Sequence, residues 1–207
     1  MHPATVRAPF AVLHFCRIIG GDDSQFIGRQ IVRKPMYWIL GTIGLLVLIG
    51  IVVTVIGYLL PENHVASKTL ILKQSPEVVW QTITDFANQP KWNSEMKSVS
   101  RLSDRNGHEV WQEEMGGMKI PLETLEKEAP KRLVRHIAAD DLGFGGDWEY
   151  LITPTIDGGC QLTVTERGNV PNPLFRFMSK YIFGHTATME KYMTALAGKF
   201  GESPVIR

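Results

Sequence analysis

Charge is missing from one long stretch of this chain. No residue between Lys34 and Glu62 carries one, and the 25 residues from Met36 to Leu60 are almost wholly apolar. At about 1.5 Å rise per residue, such a run reaches roughly 37 Å as a helix, enough to cross a hydrocarbon core of about 30 Å with some tilt. A buried helix in a soluble domain of this size would keep a polar stripe, and this run has none. A cleavable leader would be shorter and would end in a small-x-small site. Here Leu60-Pro61-Glu62-Asn63 follows, and His64-Val65-Ala66 puts a large residue at the first small position. The run reads as an uncleaved membrane span, with Tyr37, Trp38 and Tyr58 near its ends, where amphipathic rings favour the headgroup layer.

Cysteine is scarce as well. Cys16 and Cys160 lie on opposite sides of the span, which excludes a disulfide framework and a CxxC metal site. The histidines follow no HxH or HExxH spacing, and the chain has no GxSxG elbow, P-loop or GxGxxG turn. Gly143-Phe144-Gly145-Gly146 lacks the helix context that a phosphate loop requires. Neither a metal nor a cofactor is expected. A net charge of +1, with no basic run interleaved with aromatics beyond the span, offers no field for nucleic acid.

What remains divides simply. Residues 1–35 read as a cytoplasmic, disordered segment, 36–60 as the transmembrane helix, and 61–207 as one domain of common size. Ahead of the span, Arg7, Arg17, Arg29, Arg33 and Lys34 face only Asp22 and Asp23, which leaves 17 of the 22 basic and 19 of the 21 acidic residues beyond it. By the positive-inside rule the amino terminus stays in the cytoplasm and the domain is exported. Met36 offers an alternative start. A chain beginning there loses the charge asymmetry, and a cytoplasmic domain then fits equally well.

Within the domain, Val65 to Lys73 alternates as a strand, and Ser75-Pro76-Glu77 supplies an N-cap, a proline at the first helical position and an acid on the positive dipole end. A short helix follows, then a second helical stretch from Asp85-Phe86 that Pro90 interrupts before Lys91-Trp92-Asn93. Six strand signals come next: Val99 to Leu102, His108 to Met115, Met118 to Lys127, Leu133 to Ala138, Asp147 to Thr153 and Cys160 to Arg167. Links as short as Gly116-Gly117 make neighbours antiparallel. From Asn172-Pro173 to about Phe200 an apolar face recurs at three- and four-residue steps through Leu174, Phe177, Met178, Tyr181, Ile182, His185, Met189, Tyr192, Met193, Leu196 and Phe200. One sheet needing cover and one long amphipathic helix satisfy each other if the sheet curls about the helix, an α+β architecture.

This order, with SPEVVWQTITDFANQPKWN near its start and the Glu166-Arg167-Gly168 to Asn172-Pro173-Leu174-Phe175-Arg176 segment near its end, resembles the START-like (SRPBCC) superfamily of polyketide cyclases/dehydratases and lipid transport proteins over residues 64 to 200. The resemblance implies a helix-grip fold: a curved antiparallel sheet around a long C-terminal helix, here preceded by one N-terminal transmembrane helix. It also implies a cavity between sheet and helix, closed at one end by the two small helices. Superfamily members include lipid carriers, hormone receptors and ring-closing enzymes, so the resemblance fixes fold more closely than activity.

Strand alternation nominates the lining on separate grounds. With Glu149 in water, Trp148, Tyr150 and Ile152 turn inward; with Lys119 and Glu123 outside, Met118, Ile120, Leu122 and Thr124 do the same. Glu166 shares a face with Leu162 and Val164, which makes it a general base or polar anchor with a raised pKa, or else a strand-end residue paired with Arg167, Arg176 or water. Trp92, Trp111 and Phe144 are wall or lid aromatics on one reading and plain core on another. Phe177 and Tyr181 come from the helix face. His136 alternates with Val134 and Ala138 and is a second titratable candidate, or a structural rim histidine. Asp140 to Gly146 has the composition of an entrance flap or of a solvated turn. The leading expectation is a membrane-tethered module that holds a small hydrophobic or amphipathic ligand, lipid included, with the bilayer and that ligand as partners. The alternatives are a cyclase/dehydratase using Glu166 or His136, and an interaction domain with a filled core.

Overall fold

The computed structural model describes the backbone of residues 24–139 and 141–207. The expectation for residues 1–35 falls outside the described residues over 1–23. Helix α1 spans Ser24–Leu59, so helical backbone begins ahead of the apolar run. Its stretch Met36–Leu59 is long and apolar enough to cross a membrane, and its side chains are almost all exposed.

The compact unit Ile51–Arg207 carries the domain. Strand β1 (Asn63–Leu72) leads into α2 (Pro76–Thr84) and a 3-10 turn at Phe86–Lys91 that contains Pro90. Glu77 occupies the first turn of α2 as expected, whereas Ser75 holds the N-cap backbone position without a side-chain cap. Then come β2 (Met96–Arg101), β3 (Val110–Met115), β4 (Met118–Glu128), β5 (Arg132–Ile137), β6 (Gly145–Pro154) and β7 (Cys160–Asn169) as an antiparallel meander. The first strand closes onto the last of these, Leu72 opposite Cys160 and Asn63 opposite Asn169, and a two-residue strand β8 (Val205–Ile206) covers the free edge of β1. The sheet order is β2-β3-β4-β5-β6-β7-β1-β8. Two residues are too few for periodicity to reveal, so β8 has no signal in the sequence.

The C-terminal helix differs from expectation. It is broken into α3 (Pro173–Met178), a π-type turn at Ser179–Phe183 and α4 (Ala187–Lys199). Asn172 caps α3 through hydrogen bonds from the Leu174 and Phe175 amides to its side-chain oxygen. The break falls at Gly184, whose φ of 75° and ψ of 142° lie where side chains are strongly disfavoured. Three- and four-residue spacing runs on through the break, which is why periodicity reads a single helix. Only α4 is buried in the grip: Met189, Met193, Leu196 and Ala197 are fully enclosed, packed with Leu70, Leu72, Leu162, Val164 and Cys160 of the sheet and with Val79, Trp80 and Ile83 of α2.

Candidate functional site

Register places two polar groups among the apolar residues of the sheet's inner face. The first is at the β3–β5 end, where Glu113 of β3 and Arg135 of β5 form an ion pair although both are buried. The Arg135 guanidinium lies 4.1 Å over the Phe86 ring, and Phe86 contacts Trp111 with centroids 5.6 Å apart. Nε and Nη2 of Arg135 have no hydrogen-bond partner among the described residues. Beyond it stands an aromatic row. Tyr192 of α4 meets Trp92 at 5.6 Å and Tyr150 at 5.8 Å, both edge to face. Burial pushes both tyrosine phenols well above their ordinary range. Trp92, Trp148, Tyr150 and Tyr192 nonetheless keep partial accessibility, although they lie between sheet and helix.

The second group lies where β7 meets β1. Glu166 stands beside Trp148 on one side and Ala66 on the other, and its carboxylate is 3.5 Å from Nε2 of His64. The His64 ring is stacked on His185 with centroids 3.9 Å apart, and Nδ1 of His185 lies 3.1 Å from Oγ of Ser179. Gly168 opposes His64 in the ladder, and a Cβ there would come within 2.2 Å of the imidazole, so only glycine leaves room for the ring. Burial raises the Glu166 carboxyl to about 7. Burial, then the charge of His185, lowers His64, while burial and Lys180 lower His185. Both shifts run against an ion pair: a charged pair would draw the carboxyl down and the imidazole up. Burial thus favours the neutral form of each group, and Nε2 of His64 has no hydrogen-bond partner among the described residues.

His64 and His185 also line a cleft of about 260 Å³ between Leu60–Asn63 and the Arg176–Lys180 segment. A second cleft, about 410 Å³, lies along α2 near Trp92 and is bordered by Gln81, Asp85, Asn88 and Lys91. The titrating cluster adjoins only the first of these two.

Of the residues nominated from sequence, Trp92, Trp148, Tyr150, Val164 and Glu166 come together in this interior. Trp111 and Leu122 face one another across β3 and β4, with Ile120 opposite Glu113. Met118 sits at the hairpin tip, 45% exposed, away from the interior. Phe177 packs on Tyr181 at 5.1 Å, and Tyr181 is exposed, because the break at Gly184 separates their helix from α4. Phe144 is half-buried in the loop before β6, where a Cβ on neighbouring Gly143 would stand 3.1 Å from the Phe175 ring. Asp140 of that loop lies outside the described residues. His136 takes the structural of its two readings: its Nδ1 is 2.7 Å from Asp147 on the outer face, because Arg135 takes the inward phase of β5. The larger size of Leu133 and Ile137 against Val134 and Ala138 is the signal that would have chosen that phase. Glu123, expected in water, is buried against His108 at 2.8 Å. Arg167 and Arg176 do not pair with Glu166. Arg167 bonds Glu149, and Arg176 bonds the Leu60 and Pro171 carbonyls and Glu62. Arg135 and His64 were not picked out in the sequence, whereas Tyr192 and His185 stood on the apolar face of the C-terminal segment and Glu113 two residues along from Trp111.

Comparison with known proteins bears on this arrangement. The sequence model of the family described as polyketide cyclase / dehydrase and lipid transport matches residues 64–200. No curated protein matches the chain. Among solved structures it is similar to a START superfamily protein from Mycobacterium smegmatis, at 21% identity and TM-score 0.52, covering 66% of this chain and 96% of that one. It is also similar to the Zhui aromatase/cyclase from Streptomyces sp. R1128, at 11% identity and TM-score 0.53, covering 66% of this chain and 93% of that one. A norcoclaurine synthase point mutant from Thalictrum flavum gives 10% identity and TM-score 0.53, with coverage of 66% and 93%. At such identities the three structures speak for the helix-grip fold alone. The family match extends over more than half of the chain and contains the whole meander, the closing strand and α4, and by it the chain belongs to the polyketide cyclase/dehydrase and lipid transport family.

Proposed function

We propose that this chain is a membrane-tethered binding module. The apolar helix holds the domain spanning residues 61–207 at a bilayer, where it takes up a small hydrophobic or amphipathic molecule, lipid among them, in the interior between sheet and α4. The amino terminus lies in the cytoplasm and the domain outside it, on the charge asymmetry across the span. Trp92, Trp148, Tyr150 and Tyr192 offer apolar wall, and the polar end of the ligand meets Glu166 and His64. The observation that carries this reading is Glu166 itself: a carboxyl raised to about 7 by burial, among aromatic rings that remain partly accessible. Such a group hydrogen-bonds a hydroxyl or carbonyl without the cost of a buried charge.

A second reading has one specific observation in its favour. His64 lies 3.5 Å from Glu166, which supplies the second proton-bearing group that a cyclase or dehydratase needs. In that reaction Glu166 donates a proton to a ligand oxygen while neutral His64 accepts one from carbon or hydroxyl. Native mass spectrometry of the full chain released from detergent separates the outcomes. A co-purifying apolar molecule, lost in a variant with Tyr150→Glu in the wall, supports carriage. An empty protein that instead turns over a polyketide mimic, and loses that turnover in E166Q, favours the enzyme.

A further inference from the structure

The domain's exposed large apolar residues are mostly scattered singly, except in one segment. Between Pro173 and Phe183, Leu174 is 43% exposed, Phe175 45%, Tyr181 57%, Ile182 62% and Phe183 62%. A contiguous patch of this kind on a soluble surface marks an interaction site. Its place in the chain identifies the partner. The Pro173 carbonyl oxygen lies 1.9 Å from where a Cβ on Gly57 would stand, so this glycine lets α3 close against the last turn of α1. Arg176 then fixes α3 to the exit of that helix, donating to the Leu60 carbonyl at 2.8 Å and to Glu62 at 3.1 Å. The Val170 amide adds a bond to the Glu62 carbonyl at 2.8 Å. The patch is thus pinned to residues 57–62, where the apolar run gives way to charge. Tyr58, an interfacial ring, follows Gly57 in the chain, and Lys180, a cation suited to anionic headgroups, lines the same cleft as Leu60 and Glu62.

We infer that Pro173–Phe183 is a lip immersed in the headgroup and upper acyl layer of the leaflet from which α1 emerges. The inference rests on reading α1 as a membrane span. The lip borders the cleft lined by His64 and His185, so that cleft opens onto lipid, and an apolar ligand entering by it leaves the leaflet without crossing bulk water. Short amphipathic elements bind interfaces in this way, with apolar side chains inward and basic ones at the headgroups.

The test uses the full chain in phosphatidylcholine/phosphatidylglycerol vesicles, with Cys16→Ser and the buried Cys160 left in place. Single cysteines replace Ile182, Val47 or Ile156, each carrying an environment-sensitive fluorophore. Shallow or deep nitroxide lipids are then added. The label at Ile182 is expected to be quenched several-fold by shallow nitroxide, the label at Val47 by deep nitroxide, and the label at Ile156, on a fully exposed turn, by neither. An unquenched Ile182 label beside a quenched Val47 label overturns the lip and leaves the span intact. Both labels in water overturn the span, and the lip with it.

Discussion

Glu166 sits where burial works against its charge, and burial also lowers the pKa of the two imidazoles near it. Their pH dependences have opposite signs. The folded state holds a proton on Glu166 up to about 7, whereas the unfolded side chain releases it near 4.5. This contribution to stability is fully present below the unfolded value and is lost as pH rises through 7. His64 and His185 are lowered from 6.5, so their contribution is present above that value and is lost as pH falls. Replacing Glu166 by Gln removes the loss on the alkaline side, which at 1.36 kcal/mol per pH unit is at most roughly 3 kcal/mol. E166Q is expected to melt above the parent chain at pH 8.5, with the difference vanishing by pH 4.5. A difference that is the same at both pH values would show that the folded carboxyl is not protonated at neutrality. Glu166 was legible because it alternates with Leu162 and Val164. Its companions were less so: His64 precedes the strand's apolar pattern, and His185 showed only as part of the apolar helix face, not as the ring stacked on His64.

Among the elements, the strands declared themselves and the last helix misled. The meander is written in alternation and in turn residues such as Gly116-Gly117, both positive in φ, and its order followed from the shortness of the links. The C-terminal segment carried a helical period across Gly184, and a period reports spacing without reporting continuity. Among the described residues, nothing beyond the chain neighbours lies within 4 Å of where a Cβ on Gly184 would stand, so Gly184→Ala meets no clash there and tests the backbone. At φ 75° and ψ 142° the substitution is expected to cost about 1–3 kcal/mol. Hydrogen exchange locates the effect. Amides of Ser179–Phe183 should exchange faster in the variant while those of α4 keep their protection. Uniform loss across α4 would mean that the two helical pieces form one cooperative unit.

For the whole molecule, the division into an apolar helix and one α+β domain, and the family of that domain, were legible from run length, element order and the Ser75–Asn93 segment. Which side chains meet inside was legible only in part. A strand's phase is fixed by which face is covered, and a buried charge such as Arg135 occupies an inward position that alternation alone assigns to an apolar residue. Closure of the sheet is also a property of the whole. Its first strand pairs with its seventh across about a hundred residues of chain, Leu72 opposite Cys160. That pairing puts a thiol on the seam, fully enclosed, with burial raising its pKa to about 11. In a Cys16→Ser background, an alkylating reagent can therefore reach sulfur only when β1 and β7, or the helices packed over them, part. The modification rate is expected to sit orders of magnitude below that of a free thiol in buffer and to climb with urea in step with loss of circular dichroism. Rapid alkylation without denaturant would mean that the seam unzips while the rest of the domain stays folded. The chain thus carries its own chemical stopwatch for the slowest contact it has to make.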